Sequence, residues 1–155
     1  MNNDIKSLLI KRILALCEKR VALCLALFVI LVFNENLVVY IIWRSELLNV
    51  IHDVLNFEQA TSVCAVDYID RVQIVYHLTN YFTGIVIEIT VDLPADDLHV
   101  PSVALIWEGA NWHERETYEL FGVIFDGHPK LERLLTPQSY EFYPFRKSYK
   151  LRGSE

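Results

Sequence analysis

The stretch Arg71 to Pro94, RVQIVYHLTNYFTGIVIEITVDLP, sets the architecture. Val72, Ile74, Tyr76 and Leu78 alternate with Gln73 and His77, and Ile85, Ile87, Ile89, Val91 and Leu93 alternate with Glu88, Thr90 and Asp92. A period of two puts successive side chains on opposite faces, so each run predicts a strand with one apolar face. Asn80 to Gly84 is a connection only a hairpin would use, which makes the two strands antiparallel neighbours and the nucleus of a sheet. Pro94 and Asp96-Asp97 end the second strand, and Pro101 marks another break.

Upstream, Asn34-Glu35-Asn36 reads as a turn, Leu37 to Trp43 (LVVYIIW) as a strand, and Ser45 as the cap of a helix striped by Leu47, Leu48, Ile51, Val54 and Leu55. Before the turn, Val21 to Phe33 (VALCLALFVILVF) is an unbroken apolar run. As a helix it would reach about 20 Å, short of the roughly 30 Å hydrocarbon core of a bilayer. Extension meets Glu18-Lys19-Arg20 or Asn34-Glu35-Asn36, and no small-residue cleavage site follows, so it reads as a buried strand or interface segment. Ile5, Leu8, Leu9, Ile13, Leu16 and Cys17 recur at helical spacing and predict an amphipathic packing helix.

Composition narrows the function classes. The 155-residue chain is one domain in size and carries a net charge of −6, without the basic footprint of a non-specific nucleic-acid binder. Apolar residues make up 53% and the mean hydropathy is positive, more greasy surface than one small core hides, so part of it is expected to lie against other proteins. Cys17, Cys24 and Cys64 are an odd set without close pairing. They fit neither a disulfide framework nor the short ligand intervals of a zinc or iron–sulfur site.

Chemistry-bearing residue types concentrate in Gly109 to Leu135, GANWHERETYELFGVIFDGHPKLERLL. Asn111 is expected to cap a helix over about 112–121, with Glu114 and Glu116 near its positive end and Gly122 as its left-handed stop. Arg115 and Glu119 stand at i and i+4, where opposite charges meet. Val123 to Phe125 follows as a short strand and Asp126-Gly127 as a turn. Catalytic readings fail here. His113-Glu114 begins like a zinc-protease helix, but position 117 is threonine, so the second imidazole is missing. Glu114 and Glu116, two apart, point to different sides of a helix. His128 before Pro129 fits a turn-bracing role, and no phosphate loop, G-x-G-x-x-G or G-x-S-x-G is present. No catalytic, cofactor-binding or metal residue is assigned.

ERETYELFGVIFDGHPKLERLLTP, Glu114 to Pro137, resembles the signature of the thirty-kilodalton subunit of respiratory complex I. SVCAVDY (Ser62 to Tyr68), VYHL (Val75 to Leu78), PSV (Pro101 to Val103), ANW (Ala110 to Trp112) and PFRKSY (Pro144 to Tyr149) match in the family's order. The chain departs at Glu132, where relatives carry a basic residue or proline, with Lys130 and Arg133 beside it as substitutes, and the tail ends early. The resemblance spans about Glu35 to Lys150.

What the resemblance implies is an α+β, two-layer fold: a small mixed sheet with an antiparallel hairpin, helices packed on one side, and an extended C-terminal tail. It divides the chain into an N-terminal amphipathic helix and apolar segment (1–34), the domain typical of the family (35–137) and a docking tail (138–155). It further implies a non-catalytic scaffold in the peripheral arm of a membrane-bound oxidoreductase. Its partners would be the large (forty-nine-kilodalton-type) subunit and the small iron–sulfur (twenty-kilodalton-type) subunit, which hold the iron–sulfur clusters and the quinone or other acceptor. Glu114, Arg115, Glu116 and Glu119 are expected in a fixed ionic network around the signature helix, with Leu120, Phe121 and Gly122 as further signature residues. Phe121, Phe125, His128 and Pro129 are expected in the turn it braces, and Tyr143, Arg146, Lys147 and Tyr149 at the partner interface. Counterparts in an F420H2 dehydrogenase or an energy-converting hydrogenase share this reading; a free-standing interaction module is the other class, disfavoured by the positive mean hydropathy.

Overall fold

The structure, a computed structural model, describes residues 29–33, 36–40 and 45–150. The expected N-terminal amphipathic helix, the apolar residues 21–28, the turn residues 34–35 and residues 41–44 lie outside the described residues, as do Cys17 and Cys24.

The elements run β1 (Val29–Phe33), β2 (Asn36–Tyr40), α1 (Ser45–Asp53), β3 (Gln59–Asp67), β4 (Arg71–Asn80), β5 (Ile85–Pro94), β6 (His99–Pro101), α2 (Ala110–Phe121) and β7 (Ile124–Asp126). β1 to β5 form one mixed sheet in the order β1-β2-β5-β4-β3. Within it the β2–β5 pairing is parallel and the others are antiparallel. β6 and β7 pair in parallel as a small second sheet. The fold is therefore the α+β arrangement expected, with α1 and α2 contributing to one core.

The β4–β5 hairpin is as the alternation predicts. Val72, Ile74, Tyr76 and Leu78 are buried opposite Leu93, Val91, Ile89 and Ile87, each pair in register. Full burial of such side chains contributes roughly 1.5–3 kcal/mol apiece. The opposite face is polar, with Gln73 Nε2 donating to Asp92 Oδ1 at 2.8 Å and His77 facing Glu88 at 3.3 Å. Asn80 ties the turn to the helical layer: its Nδ2 donates to the Leu55 carbonyl, and its Oδ1 accepts the Thr83 N–H.

β3 is the strand that period-two reading misses. A bulge between Ala60 and Ser62 shifts the register, so that Ala60 and Val63, three apart, both face inward, followed by Ala65 and Asp67. An extra residue breaks the alternation that would have marked the strand. Helix α2 packs on β3, and Thr117 Oγ1 donates to the Val63 carbonyl.

Val29–Phe33 pairs antiparallel with β2 and so belongs to the same sheet as the strands that follow. Residues 138–150 are tied to α2: the Phe145 N–H donates to the Leu120 carbonyl, and Phe121 and Phe145 stack edge to face. Helix α2 starts at Ala110 after Gly109, without a side-chain cap. The preceding turn already carries Ala110 N–H to Trp107 O and Asn111 N–H to Glu108 O, which leaves Asn111 inside the helix and Glu114 beyond its first turn.

Gly122 ends α2 as expected, with φ +81° and its N–H on the Tyr118 carbonyl. A Cβ there would meet the Tyr143 ring at 2.9 Å. Gly122→Ala should lose about 2 kcal/mol, from left-handed strain together with displacement of Tyr143. Thermal denaturation of the variant checks this.

Candidate functional site

The signature helix offers two carboxylates to the interior, Glu114 and Glu119, both with no exposed surface. Neither is neutralised by Arg115. Each instead accepts hydrogen bonds from a segment that has no regular structure of its own.

Glu119 binds the chain after β7. Its carboxylate accepts the N–H groups of Leu134 at 2.8 Å, Leu135 at 3.0 Å and Thr136 at 3.2 Å, and the Thr136 hydroxyl at 3.1 Å. Three consecutive amides aimed at one point form an anion-binding nest, here filled by the protein's own side chain. Burial by itself would push this carboxyl up; the amides of Thr136, Leu134 and Leu135 and the Thr136 hydroxyl outweigh it and hold the carboxyl below its ordinary value.

Glu114 faces the other way, toward the link between β6 and α2. Ser102 Oγ donates to Oε2 at 2.6 Å and the Val103 N–H to Oε1 at 2.7 Å. Burial dominates here and lifts the carboxyl to about 7, against the pull of the Ser102 and Val103 donors. His128 is close, Nε2 lying 3.8 Å from Oε2, beyond hydrogen-bond reach. Its Nδ1 accepts the Lys130 N–H at 3.0 Å, so Nε2 carries the hydrogen and donates to the Asn111 carbonyl at 3.2 Å. Burial lowers its basicity, and the Arg115 charge lowers it further against the Asn111 bond. Ser102 donates to the glutamate rather than to the imidazole, so the three do not line up as a serine–histidine–acid relay.

In place of the expected ionic network, its two buried acids, Glu114 and Glu119, are bound to amides and hydroxyls. Arg115 is half-buried, with Nε donating to the Glu132 carbonyl at 3.0 Å, Nη2 to the Arg133 carbonyl, and its guanidinium against the Trp112 ring. Glu116 is exposed, as is Pro129, while Leu120 and Phe121 are half-buried. Phe125 is in the core.

Two further residues complete the site, Arg133, noted in the sequence only as a neighbour of Glu132, and Asp67. Arg133 is buried and donates to the Glu119 carbonyl, the Thr136 hydroxyl and the Phe142 carbonyl, with Tyr140 and Tyr143 against its guanidinium. The neighbouring Glu132 is exposed and pairs with Lys130. Asp67, buried at the end of β3, accepts the Ile69 N–H through Oδ1, and the Lys147 N–H and Arg146 Nε through Oδ2. Burial would raise this carboxyl; the two amides and then the Arg146 and Lys147 charges hold it below its ordinary value. Its position in SVCAVDY is the one signal the sequence offered. Of the expected interface residues, Arg146 is therefore engaged within the chain, Lys147 lies against Tyr68, Tyr143 against Gly122 and Arg133, and Tyr149 bonds Tyr140 through the hydroxyls.

Among the described residues no three His, Cys, Asp or Glu side chains converge to hold a metal ion, and no helix is long and apolar enough to cross a membrane.

A mixed sheet with two helices, the second of which carries buried carboxylates that fasten neighbouring loops, defines a small α+β fold. Residues 43–155 match the family described as respiratory-chain NADH dehydrogenase, 30 Kd subunit, and the chain belongs to that family. It is similar to the C-type subunit of the NADH-quinone oxidoreductase of Salinispora tropica, 44% identical over 64% of this chain and 42% of the relative. The corresponding protein of Roseiflexus sp. is 41% identical over 65% of this chain and 60% of the relative. The chain spans about half the length of the curated relatives it matches. Among solved structures, a trypsin-resistant Nqo5 fragment (1–134) superposes with a TM-score of 0.63 at 25% identity, covering 79% of this chain and 98% of the fragment. A chain of the membrane-bound sulfane sulfur reductase, an archaeal respiratory membrane complex, superposes with a TM-score of 0.71 at 25% identity, covering 95% of this chain and 86% of that one.

Glu119→Ala should lose on the order of 3 kcal/mol by stranding three amides, and Glu119→Gln roughly half as much, since one oxygen remains as acceptor. Arg115→Ala, which strands carbonyls rather than carboxylates, should lose only about 1 kcal/mol. Chemical denaturation of the three variants side by side separates these cases. Asp67 and Glu119 have lowered carboxyl values in the folded state, so the stability they contribute is fully present above the ordinary carboxylate range and is lost as pH falls from that range through the lowered folded-state values. Asp67→Asn should loosen the tail, and limited trypsin digestion should then cut faster after Arg146 and Lys147 than in the parent chain.

Proposed function

We propose that this chain is a non-catalytic scaffold subunit in the peripheral arm of a complex I-like, membrane-bound oxidoreductase. It would stand between the large subunit and the small iron–sulfur subunit, on the cytoplasmic face of the energy-converting membrane, or its matrix or stromal equivalent. Electron donor, iron–sulfur clusters and quinone or other acceptor belong to those partners, and this chain carries no cofactor. The observation that carries the reading is the family match over residues 43–155, which includes the whole signature helix and tail.

Site chemistry supports it. The buried acids Glu114, Glu119 and Asp67 fasten the loops after β6 and β7 and the C-terminal tail. Electron transfer depends on cofactor spacing fixed by packing, so a subunit whose irregular segments are held by buried carboxylates suits that task. Fastening the tail leaves Phe142 and Phe145 58% and 59% exposed beside Tyr143, and aromatics of this kind are favoured at the cores of protein interfaces. Arg146 and Lys147 would then shape the docking surface, with Tyr149, rather than supply free charge to it.

A second reading places the chain in a related respiratory membrane complex with another donor or acceptor, such as an F420H2 dehydrogenase or an energy-converting hydrogenase. The 0.71 superposition on a chain of the sulfane sulfur reductase complex favours keeping it.

Affinity purification through a tag on this chain, from gently solubilised membranes, should recover iron–sulfur and membrane subunits together with iron, and their identities would name the donor. Recovery of a lone, metal-free monomer would overturn the scaffold reading. Truncation after Leu135 should abolish co-purification.

A further inference from the structure

Glu114 is a buried acid that no lysine or arginine among the described residues pairs with. The groups that face it come from three elements: Ser102 and Val103 from the link after β6, Tyr76 from β4, and His128 from the turn after β7. Arg115, next to it on α2, acts on the site through His128 and directs its own N–H groups to the Glu132 and Arg133 carbonyls. The side chains of Glu114 and His128 both have no exposed surface.

A proton entering this site has two possible seats, and the hydrogen bonds choose between them. On His128, Nδ1 is occupied by the Lys130 N–H and Nε2–H points at the Asn111 carbonyl, so an imidazolium would need the 128–130 turn to open. On Glu114, Oε2 lies 2.6 Å from Ser102 Oγ, a separation that serves a hydrogen bond in either direction. Ser102 Oγ already accepts the Ala104 N–H at 3.1 Å and has a second lone pair to offer.

We propose that Glu114 is an internal proton switch: as the surroundings acidify it takes up a proton before His128 does, and uptake reverses the hydrogen bond between Glu114 and Ser102. In the ionised form Ser102 Oγ–H donates to Oε2. After uptake Oε2–H donates to Ser102 Oγ, and the hydroxyl hydrogen turns away. The Val103 N–H stays on Oε1 in both forms, so the segment leading from β6 into α2 keeps its place while its charge changes. In water the order is the reverse, a carboxylate ionising well below an imidazole. Burial inverts it here by penalising both charged forms, and the lift of the carboxyl to about 7 agrees with this order.

Linkage fixes the direction of the effect on stability. A folded-state value raised above the ordinary glutamate value of 4.5 means the folded chain holds a proton that the unfolded chain has released. The contribution to stability is complete below the unfolded value and is lost as pH rises through about 7.

The test is a carbon-13 titration of the glutamate carboxyls in the full chain, with the histidine ring nitrogens followed in parallel. One glutamate resonance should titrate near neutrality and be missing from Glu114→Gln, while His128 keeps its neutral Nε2–H pattern through that span. Ser102→Ala removes a partner of both forms, and because the hydrogen bond to the ionised carboxylate is the stronger, the midpoint should move upward. The fall in melting temperature between about pH 6 and pH 8 should flatten in Glu114→Gln. Titration of every glutamate in the ordinary carboxylate range, conversion of His128 to imidazolium first, or a midpoint indifferent to Ser102→Ala would each overturn the proposal. None of these readouts depends on assembly with partners, so they stand or fall apart from the scaffold reading.

Discussion

Glu119 in its nest of amides holds the second half of the molecule together. Leu134, Leu135 and Thr136 belong to no strand or helix, so their N–H groups have no ladder to join. Buried or half-buried amides must find acceptors, and an anion on the neighbouring helix supplies one centre for all three. Arg133 then bonds the Glu119 carbonyl, Thr136 and the Phe142 carbonyl at once, which carries the constraint from the helix through the loop to the tail.

The same device appears three times with different outcomes. Asp67 gathers the Ile69 and Lys147 amides and the Arg146 guanidinium, joining β3 to a segment eighty residues later. Glu114 gathers Ser102 and Val103. What separates the three is the number of donors set against burial. Glu119 has three amides and a hydroxyl, and Asp67 two amides and a cation, and both stay acidic. Glu114 has one amide and one hydroxyl, and burial prevails. One motif thus yields two fixed anchors and one group that titrates near neutrality.

On the scaffold reading proposed above, this arrangement has a use. Irregular surface is entropically costly to hold still. Buried carboxylates offset that cost in the loops after β6 and β7 and in the tail, and they leave the exposed aromatics Phe142 and Phe145 on a defined backbone.

Residue order alone was enough for the β4–β5 hairpin, the presence of α1 with Leu48 and Ile51 turned inward, the Gly122 stop and family membership, because each of these is written in local periodicity or in motifs whose residues lie close along the chain. The expected stripe on α1 fails at Val54, which lies past the helix end and is exposed. It was not enough to say what the acids of the signature helix bind. Spacing of four residues suggested that Arg115 pairs with Glu119, yet the carboxylate points inward to amides fifteen to seventeen positions away and the guanidinium to carbonyls seventeen and eighteen away. β3 escaped because a bulge erased its alternation, and Asp67 because its partner lies at the far end of the chain. Backbone donors carry no residue signature, so a carboxylate that binds them looks in sequence like one that binds solvent or a neighbouring arginine. Folding the loops onto the helix is what separates these cases, and that arrangement exists only in three dimensions.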